Sequence, residues 1–303
     1  SVLRTCHAGI QPTAGQKYKA RDTSRRRFHM QNCAPMQSVL KTYRKEIWAP
    51  FVSACKEYRL IAPGDRIAVC LSGGKDSALL AILMRQLSLH SDFPFSVEYI
   101  AMDPGYSPEN RRKLEENAAL LEIPVKIFET NIFGVTEKSG GSPCYLCARM
   151  RRGHLYHYAQ ELGCNKIALG HHFSDVIETT VMALFWGAQL QAMPPMLRST
   201  NHPGMSLIRP LYKIREEDII RWKNHNHLEF LACACRLTAN AAVDESVSKR
   251  KETKNLIKAL KATNPDIEKS IFHAIHRVHL DTFPAYKTEG EMHTFLEKYD
   301  KGE

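Results

Sequence analysis

Residues 66–80 read Arg66-Ile67-Ala68-Val69-Cys70-Leu71-Ser72-Gly73-Gly74-Lys75-Asp76-Ser77-Ala78-Leu79-Leu80. The first six residues are mostly apolar, as in a buried strand, and a helical spacing of apolar residues follows the glycine pair. Glycines let backbone N–H groups approach an anion without interference from a Cβ atom. The first turn of the helix adds unpaired N–H donors and the positive end of its dipole. The stretch therefore predicts a phosphate-binding loop between a strand and a helix.

The loop differs from the two common phosphate-binding motifs. A Walker A loop has Ser or Thr directly after its lysine, whereas Lys75 is followed by Asp76. The dinucleotide fingerprint G-x-G-x-x-G is absent. The loop resembles instead the pyrophosphate-binding loop of the PP-loop ATP pyrophosphatases, which cleave ATP between the α- and β-phosphates. The alternative is an ordinary glycine turn with an N-capping serine. The resemblance implies that the ATP phosphates are bound by Ser72, Gly73, Gly74, Lys75, Asp76 and Ser77.

Strands alternate with helices along the centre of the chain. A helix is expected over 39–58, and after the loop helix we predict strands at 96–102, 125–128 and 166–169 and helices at 108–121, 148–162 and 174–186. This alternation predicts an α/β fold with a doubly wound, mostly parallel sheet and helices on both faces. Beyond Leu211 we expect a helical C-terminal part with one short strand at 229–231. Because ligands bind at the carboxyl ends of such strands, Gly73, Asp103 and Gly170 are expected to border one cleft.

A second junction of strand and helix carries further candidates. Gly170-His171-His172 and Asp175 lie there, so backbone donors, imidazoles and a carboxylate could bind nucleotide phosphates or magnesium. A histidine pair is more often structural, and Glu178, one turn beyond Asp175, could equally lie on a solvated helix face. We predict Lys75, Asp76 and Asp175 as catalytic residues. Asp103, Gly170 and His171 complete the predicted nucleotide site.

Four of the nine cysteines form two close pairs. Cys144 and Cys147 make a C-x-x-C at the start of a predicted helix, where the helix dipole and Arg149, Arg151 and Arg152 favour thiolates. Cys233 and Cys235 follow much later, at the end of a predicted strand. These four thiols are compatible with three kinds of site: a zinc site closed by four cysteines, a redox dithiol, or an iron site with three cysteine ligands.

Composition narrows the class of protein. The 303 residues carry a formal net charge of +10, which favours a polyanionic partner such as RNA. Nine cysteines favour a reducing compartment, and the apolar runs are far shorter than the ~20 residues of a membrane span. We therefore expect a cytoplasmic protein without membrane association.

The chain divides into three predicted parts. Residues 1–35 contain Arg25-Arg26-Arg27 and a single acid, Asp22, and we predict that they form a basic leader. Three interpretations of this leader are left open: a disordered segment, an arm that binds RNA, or an organellar transit sequence. Residues 36–278 form the catalytic domain, and residues 279–303 form a C-terminal tail. The sequence shows no internal repeat.

The order of the motifs indicates a family. Five motifs, in this order, resemble those of the bacterial tRNA 2-thiocytidine synthetases over residues 36–278. They are the phosphate loop, the C-x-x-C with its following Ala-Arg-Met-Arg-Arg-Gly-His-Leu-Tyr, the Gly170-His-His junction, Met193-Pro-Pro-Met-Leu and Ile208-Arg-Pro-Leu. The resemblance implies ATP, Mg²⁺ and a [4Fe-4S] cluster held by Cys144, Cys147 and one later cysteine. The family has C-x-x-C where this chain has Cys233-Ala-Cys235, so either can be the third ligand, and Cys235 is preferred. Ser174 stands where the family usually has an acid.

The same resemblance implies a reaction. ATP would adenylate the C2 oxygen of an anticodon-loop cytidine at position 32, and sulfur delivered through the cluster would replace that oxygen. The partners would be tRNA and a cysteine desulfurase or other sulfur donor, with a homodimer left open. The alternatives are another PP-loop enzyme, such as a lysidine-type tRNA modifier or an amide-forming synthetase, and a zinc-stabilised RNA-binding protein without activity.

Overall fold

A six-stranded sheet runs through the protein and holds the phosphate loop at its centre. The computed structural model describes residues 33–130, 132, 143–231 and 245–299, without the side chains of 143–149, 245–248 and 298. The elements in chain order are α1 (Ala34–Leu40), a π-helical turn (Arg44–Trp48), α2 (Ala49–Glu57), β1 (Arg66–Leu71), α3 (Lys75–His90), β2 (Ser96–Asp103), α4 (Pro108–Leu120), β3 (Val125–Glu129), α5 (Pro143–Glu161), β4 (Lys166–Ala168), α6 (Phe173–Gly187), β5 (Met196–Arg198), β6 (Ser206–Ile208), α7 (Glu216–His225), α8 (Glu245–Thr263), α9 (Ile267–Ala274), a 3₁₀ turn (Leu280–Thr282), β7 (Ala285–Thr288), β8 (Glu291–Thr294) and α10 (Leu296–Tyr299).

The strand order places the phosphate loop at a switch point of the sheet. The order is β3-β2-β1-β4-β6-β5, and only β5 runs antiparallel to its neighbour. In β1, Val69 pairs with Tyr99 of β2 on one side and with Ala168 of β4 on the other. The chain passes from β1 to β2 and β3, and then returns to β4 on the opposite side of β1. The predicted, mostly parallel sheet is confirmed, and a crevice opens between β1 and β4 at their carboxyl ends.

Both faces of the sheet are covered by helices, as predicted. Ile67 and Val69 pack into one buried cluster with side chains of α2, α3 and α7. Ala68 and Cys70, which point the other way, pack against Tyr156 of α5 in a second cluster. The helix that carries the C-x-x-C therefore covers the face opposite to the phosphate-loop helix.

The first helical region differs in detail from the predicted helix over 39–58. It begins earlier, at Ala34, and continues through the π-helical turn into α2. Pro50 lies in the first turn of α2. Because proline has no N–H to bond to the carbonyl group four residues earlier, it suits the first turn of a helix, and here α2 begins directly after the π-helical turn.

The prediction of a strand at 229–231 is wrong. Residues 229–231 pair with none of the described strands, and Leu231 N–H donates instead to the carbonyl oxygen of Gly73 at 3.1 Å. The four short strands β5 to β8 were not predicted. Each has only three or four residues, which is too short for an alternating apolar pattern to stand out.

Several predicted features lie outside the described residues. These include residues 1–32 of the leader and both Cys233 and Cys235. Helix α1 begins at Ala34, close to the predicted start of the domain at residue 36. In the described part of the chain, no helix combines the length and apolar character that a bilayer crossing requires.

Candidate active site

The phosphate loop is folded back on itself by its two serines. Ser72 N–H donates to Ser77 Oγ at 3.0 Å, and Ser77 Oγ donates to the carbonyl oxygen of Gly74 at 3.0 Å. Gly73 adopts a φ of +80°, which a glycine reaches without strain. Gly74, the N-cap of α3, has no side chain that could cap the helix. The first N–H groups of α3 therefore lie beside the loop as donors for an anion.

Gly170 brings the second junction against this loop. A Cβ atom at position 170 would lie 3.0 Å from the carbonyl carbon of Asp76 and 3.0 Å from the backbone nitrogen of Ser77. Both atoms belong to the first turn of α3, whose backbone cannot yield as a flexible side chain would. The loop after β4 and the start of α3 thus touch through a position that only glycine fills without displacement.

Replacement of Gly170 by alanine should weaken ATP binding, because the added methyl group pushes the first turn of α3 away from the loop. Overpacking of this kind costs about 1–3 kcal/mol. Titration calorimetry with ATP measures the effect. Gly153→Ala is the matched control, because no atom lies within 4 Å of the Cβ added there, in the middle of α5. Equal ATP affinities for the two variants would contradict this account of Gly170.

The His172 side chain caps the backbone at the start of α6. Its Nδ1 accepts from the N–H of Asp175 at 3.3 Å, while Asp175 Oδ2 accepts from the N–H of His172 at 3.0 Å. This reciprocal cap satisfies two end groups of the helix. His172 is buried, and its Nε2 lies 3.8 Å from Asp76 Oδ1. It therefore holds Asp175 in place, lies near Asp76 without a hydrogen bond to it, and is a structural member of the histidine pair.

A cavity of about 360 Å³ lies in the crevice between β1 and β4. Asp76 Oδ1 and His171 Nδ1 are buried and have no hydrogen-bond partner among the described residues. Burial lowers the pKa of His171 to about 4, and the cations Arg209 and Arg250 act in the same direction. Burial raises the pKa of Asp76, although His172 and Lys75 oppose this effect. The cavity is lined by Cys70, Leu71, Ser72, Asp76, Ser77, Met102, Tyr106, Arg151, Leu155, Leu169, Gly170, His171 and Asp175.

Lys75 is held by two carboxylates. Its Nζ donates to Asp76 Oδ2 at 3.2 Å and to Glu216 Oε1 at 3.0 Å. Burial alone would lower the pKa of Lys75, but these two charges raise it above its ordinary value. Sequence reasoning missed Glu216, because an acidic residue in the first turn of a helix is ordinarily explained by the helix dipole.

Helix α8 contributes cations to the acids beside the loop. Lys254 Nζ lies 2.9 Å from Glu216 Oε2 and 3.6 Å from Glu178 Oε1. Arg250 lies 3.5 Å from Asp175 Oδ1 and 3.7 Å from Glu178 Oε2. Glu178 is only 4% exposed, so it does not belong to a solvated helix face. The helix after the second cysteine pair is thus bound to the nucleotide site through charge.

The protonation of Glu178 should make stability depend on pH. Burial raises the pKa of Glu178 to about 7, although Lys254 and Arg250 lower it in part. A raised folded-state pKa means that the native state holds its proton while the unfolded state has lost it. The free energy of unfolding contributed by this group therefore falls as pH rises from about 4.5 to 7, and is level above 7.

Glu178→Gln removes this component, so the stability of the variant relative to the unmodified protein should rise across that pH interval. Urea unfolding at a series of pH values measures the difference. Glu217→Gln serves as the control, because the pKa of Glu217 is lowered and its carboxyl group titrates below the interval. A pH-independent difference for Glu178→Gln would contradict the assignment.

Comparison with known proteins identifies the family to which this arrangement belongs. The family model described as PP-loop domain matches residues 44–235. The tRNA-cytidine(32) 2-sulfurtransferase of Alkalilimnicola ehrlichii is 36% identical over 266 residues, covering 85% of this chain and 79% of the relative. The chain belongs to the tRNA-cytidine(32) 2-sulfurtransferase family. A further member, from Geotalea uraniireducens, is 36% identical over 229 residues, covering 74% of this chain and 88% of its own length.

A solved structure shows the same fold. The U34-tRNA thiolase NcsA from Methanococcus maripaludis, with its [4Fe-4S] cluster, superposes with a TM-score of 0.58 at 23% identity. The match covers 76% of this chain and 78% of that chain. The sheet and its helices in this member of the sulfurtransferase family are therefore those of a known PP-loop architecture.

The departure at Ser174 has a structural role in this member of the sulfurtransferase family. Ser174 Oγ accepts a hydrogen bond from the N–H of Glu216 at 3.2 Å. The bond joins the start of α6 to the start of α7. It thereby holds Glu216 where its carboxylate reaches Lys75.

Asp103 lies at the carboxyl end of β2, as predicted, but its carboxylate is engaged locally. It accepts from the N–H groups of Gly105 and Tyr106 at 2.9 and 2.7 Å, and from Arg111 at 2.9 Å. Burial would raise the pKa of Asp103, but these donors hold it below its ordinary value. Its neighbour Met102 and the bonded Tyr106 line the cavity, so Asp103 shapes the turn that presents them. Its predicted contact with the nucleotide stays a prediction.

The first cysteine pair of this sulfurtransferase family member lies on a helix that reaches the cavity. Cys144 and Cys147 occupy the first turn of α5, and Arg151, one turn after Cys147, lines the cavity. Among the side chains that the structure describes, no group of three or more His, Cys, Asp or Glu is placed to hold a metal ion. The predicted ligands Cys144, Cys147, Cys233 and Cys235 are not among those side chains, so the metal site stays a prediction.

The chain leading to the second cysteine pair also reaches the phosphate loop. In addition to the bond from Leu231 N–H to Gly73, a Cβ atom at Gly73 would lie 2.5 Å from Leu231 Cδ1. Asn117 Nδ2 supports this segment by donating to the carbonyl oxygen of Glu229 at 2.9 Å. The segment therefore packs directly on the loop two residues before Cys233.

Proposed function

We propose that this protein uses ATP to replace the C2 oxygen of cytidine 32 in a tRNA anticodon loop with sulfur. One observation carries the proposal: a single cavity has the phosphate loop on one wall and, on another, the helix that bears the C-x-x-C. The names of the relatives, which are tRNA-cytidine(32) 2-sulfurtransferases, support the same substrate.

The phosphate loop would bind the β- and γ-phosphates of ATP. The N–H groups at the start of α3 and the ammonium group of Lys75 supply donors and positive charge to these groups. Mg²⁺, held by Asp76 or Asp175, would neutralise further phosphate charge. Asp76 Oδ1, which has no hydrogen-bond partner in the described part of the chain, fits such a role, since carboxylate oxygens are preferred ligands of this ion.

The reaction would proceed in two displacements. The C2 carbonyl oxygen of the cytidine attacks the α-phosphorus, and pyrophosphate leaves. A sulfide then attacks C2, and the former carbonyl oxygen leaves as part of AMP, which is a far better leaving group than the oxygen alone. The neutral His171, with Nδ1 unpartnered among the described residues, would orient the reacting groups by hydrogen bonding. Arg151 would stabilise negative charge in the cavity.

An iron–sulfur cluster suits the chemistry of the cysteine set. Thiolates are the ordinary ligands of such clusters, and Cys144 and Cys147 with Cys235, or with Cys233, would supply three. When bound, a cluster with three protein ligands supplies an iron at which a sulfide can bind. The chain would bring those thiols towards the activated base, because Arg151 of α5 lines the cavity and Leu231 packs on the phosphate loop.

The RNA partner is supported by charge and by access. The net charge of +10 favours a polyanion, and an unstacked base of an anticodon loop can enter a cavity that duplex bases cannot. A cysteine desulfurase or another sulfur donor would supply the sulfide. The proposal also includes that the protein acts in the cytoplasm and as a homodimer.

The release of pyrophosphate tests the proposal. Anaerobic protein incubated with ATP and a tRNA that carries cytidine 32 should form pyrophosphate and AMP in equal amounts, whereas the same tRNA with uridine 32 should not support the reaction. Equal release with both RNAs would favour another PP-loop tRNA modifier. Absence of release with any tRNA would overturn the proposal in favour of an RNA-binding protein without activity.

A further inference from the structure

Glu216 connects the loop lysine to helix α8. Its Oε1 accepts from Lys75 at 3.0 Å and its Oε2 accepts from Lys254 at 2.9 Å, so the two cations share one carboxylate. The side chains of Lys75 and Glu216 are only 22% and 24% exposed, which limits screening by water. Lys254 and Lys75 lower the pKa of Glu216 to about 2 against the effect of burial. The carboxylate is therefore charged at neutral pH.

This arrangement sets Glu216 in competition with a bound phosphate. An ammonium group donates three hydrogen bonds, and two of those of Lys75 are made to Asp76 and Glu216. A phosphate that binds at the loop must take Lys75 at least partly from these acids, and it also meets the negative charge of Glu216. When the phosphate leaves, Glu216 can take the ammonium group back.

We propose that Glu216 is a positioning residue that recaptures Lys75 and thereby speeds the release of pyrophosphate. The proposal rests on the function proposed above only in that pyrophosphate leaves from this loop. Pyrophosphate must leave in every turnover, and a loop with several N–H donors and a lysine holds it through charge-assisted bonds. An internal carboxylate lowers this affinity without removing any phosphate contact.

Two variants are expected to act in opposite directions. Glu216→Gln keeps the shape but removes the competing charge, so magnesium pyrophosphate should bind about tenfold more tightly, as for one charge-assisted bond. Lys254→Met removes the second cation from Glu216, which then holds Lys75 more strongly. Pyrophosphate should then bind about threefold more weakly, a smaller change because Lys254 reaches Lys75 only through Glu216.

Matched controls lie on the same two helices. Glu217 follows Glu216 directly on α7, but its carboxylate lies beside Arg215 and Lys261, away from the loop. Lys258 lies one turn after Lys254 on α8 and is exposed. Glu217→Gln and Lys258→Met change the net charge in the same way as the test variants, so neither should alter pyrophosphate affinity by more than about twofold, as expected for exposed charges.

Titration calorimetry with magnesium pyrophosphate, together with the kinetics of tRNA-dependent pyrophosphate release, tests the proposal. For Glu216→Gln we expect a lower dissociation constant, a lower KM for ATP and a lower kcat, since product release becomes slower. Loss of a merely structural side chain would raise KM.

Weaker or unchanged pyrophosphate binding by Glu216→Gln would overturn the proposal, and weaker binding only in the presence of magnesium would assign Glu216 to the metal. A change of pyrophosphate affinity in the same direction in both variants would also overturn the proposal. If Glu216→Gln does not fold, the result for Lys254→Met decides alone. Failure of the unmodified protein to bind pyrophosphate would overturn the proposed function of the loop and this inference with it.

Discussion

Replacement of Cys144 by alanine should abolish thiolation of tRNA and leave ATP binding within about twofold of its original value. The thiol would be a ligand of the cluster, and three thiolates are needed to hold a cluster of this kind. The phosphate loop is formed by β1 and α3, which do not depend on the thiol. The absorption spectrum of anaerobically purified protein, its iron content and a thiolation assay measure the effect.

The other cysteines distinguish a three-cysteine cluster from a zinc site. Cys147→Ala and Cys235→Ala should behave like Cys144→Ala, whereas Cys233→Ala should retain the cluster. Cys33→Ala is a control outside both pairs, since Cys33 is half-buried before α1. A colourless protein that binds one zinc ion and requires all four paired cysteines would contradict the cluster and the sulfur transfer with it.

Replacement of Lys75 by methionine should reduce ATP affinity by about 1.5–3 kcal/mol, or roughly 10- to 200-fold. The variant loses a charge-assisted phosphate contact. It also leaves Asp76 without its lysine and Glu216 with Lys254 as its remaining cation, so both carboxylates repel the phosphates more strongly. Equilibrium binding of ATP and tRNA-dependent pyrophosphate release measure the loss.

Lys126→Met is the control for this change. Lys126 forms an exposed ion pair with Glu98 at 2.9 Å, on strands β3 and β2. Exposed pairs contribute at most about 1 kcal/mol, and this one lies outside the lining of the cavity. Unchanged pyrophosphate release by Lys75→Met would contradict the assignment of the loop.

The strand, loop and helix around Gly73 could be predicted from the sequence, because all the information is local. An apolar run, a glycine pair and a helical apolar spacing determine β1, the loop and the start of α3 within a few residues. The same holds for the C-x-x-C at the start of α5. Such signals depend on neighbours in the chain and not on the tertiary structure.

Contacts between distant residues could not be predicted in this way. Glu216 lies 141 positions from Lys75, and the bond of Leu231 to Gly73 joins two segments that carry no common pattern. Asp103 lies at the end of β2, but of the predicted trio Gly73, Asp103 and Gly170 only Gly170 lines the cavity, and three local donors occupy the carboxylate of Asp103. Strand ends therefore indicate where a site lies, while the partners of each side chain depend on the packed structure.

Analysis of the nucleosides of a tRNA treated with the protein tests the central claim most directly. A tRNA with unmodified cytidine 32 is incubated anaerobically with the protein, ATP, magnesium and sulfide, then digested and analysed by mass spectrometry. The account predicts 2-thiocytidine at position 32, formed only when ATP is present and in proportion to the AMP released. Release of AMP with an unchanged cytidine 32, or a thiolated base at another position, would contradict it.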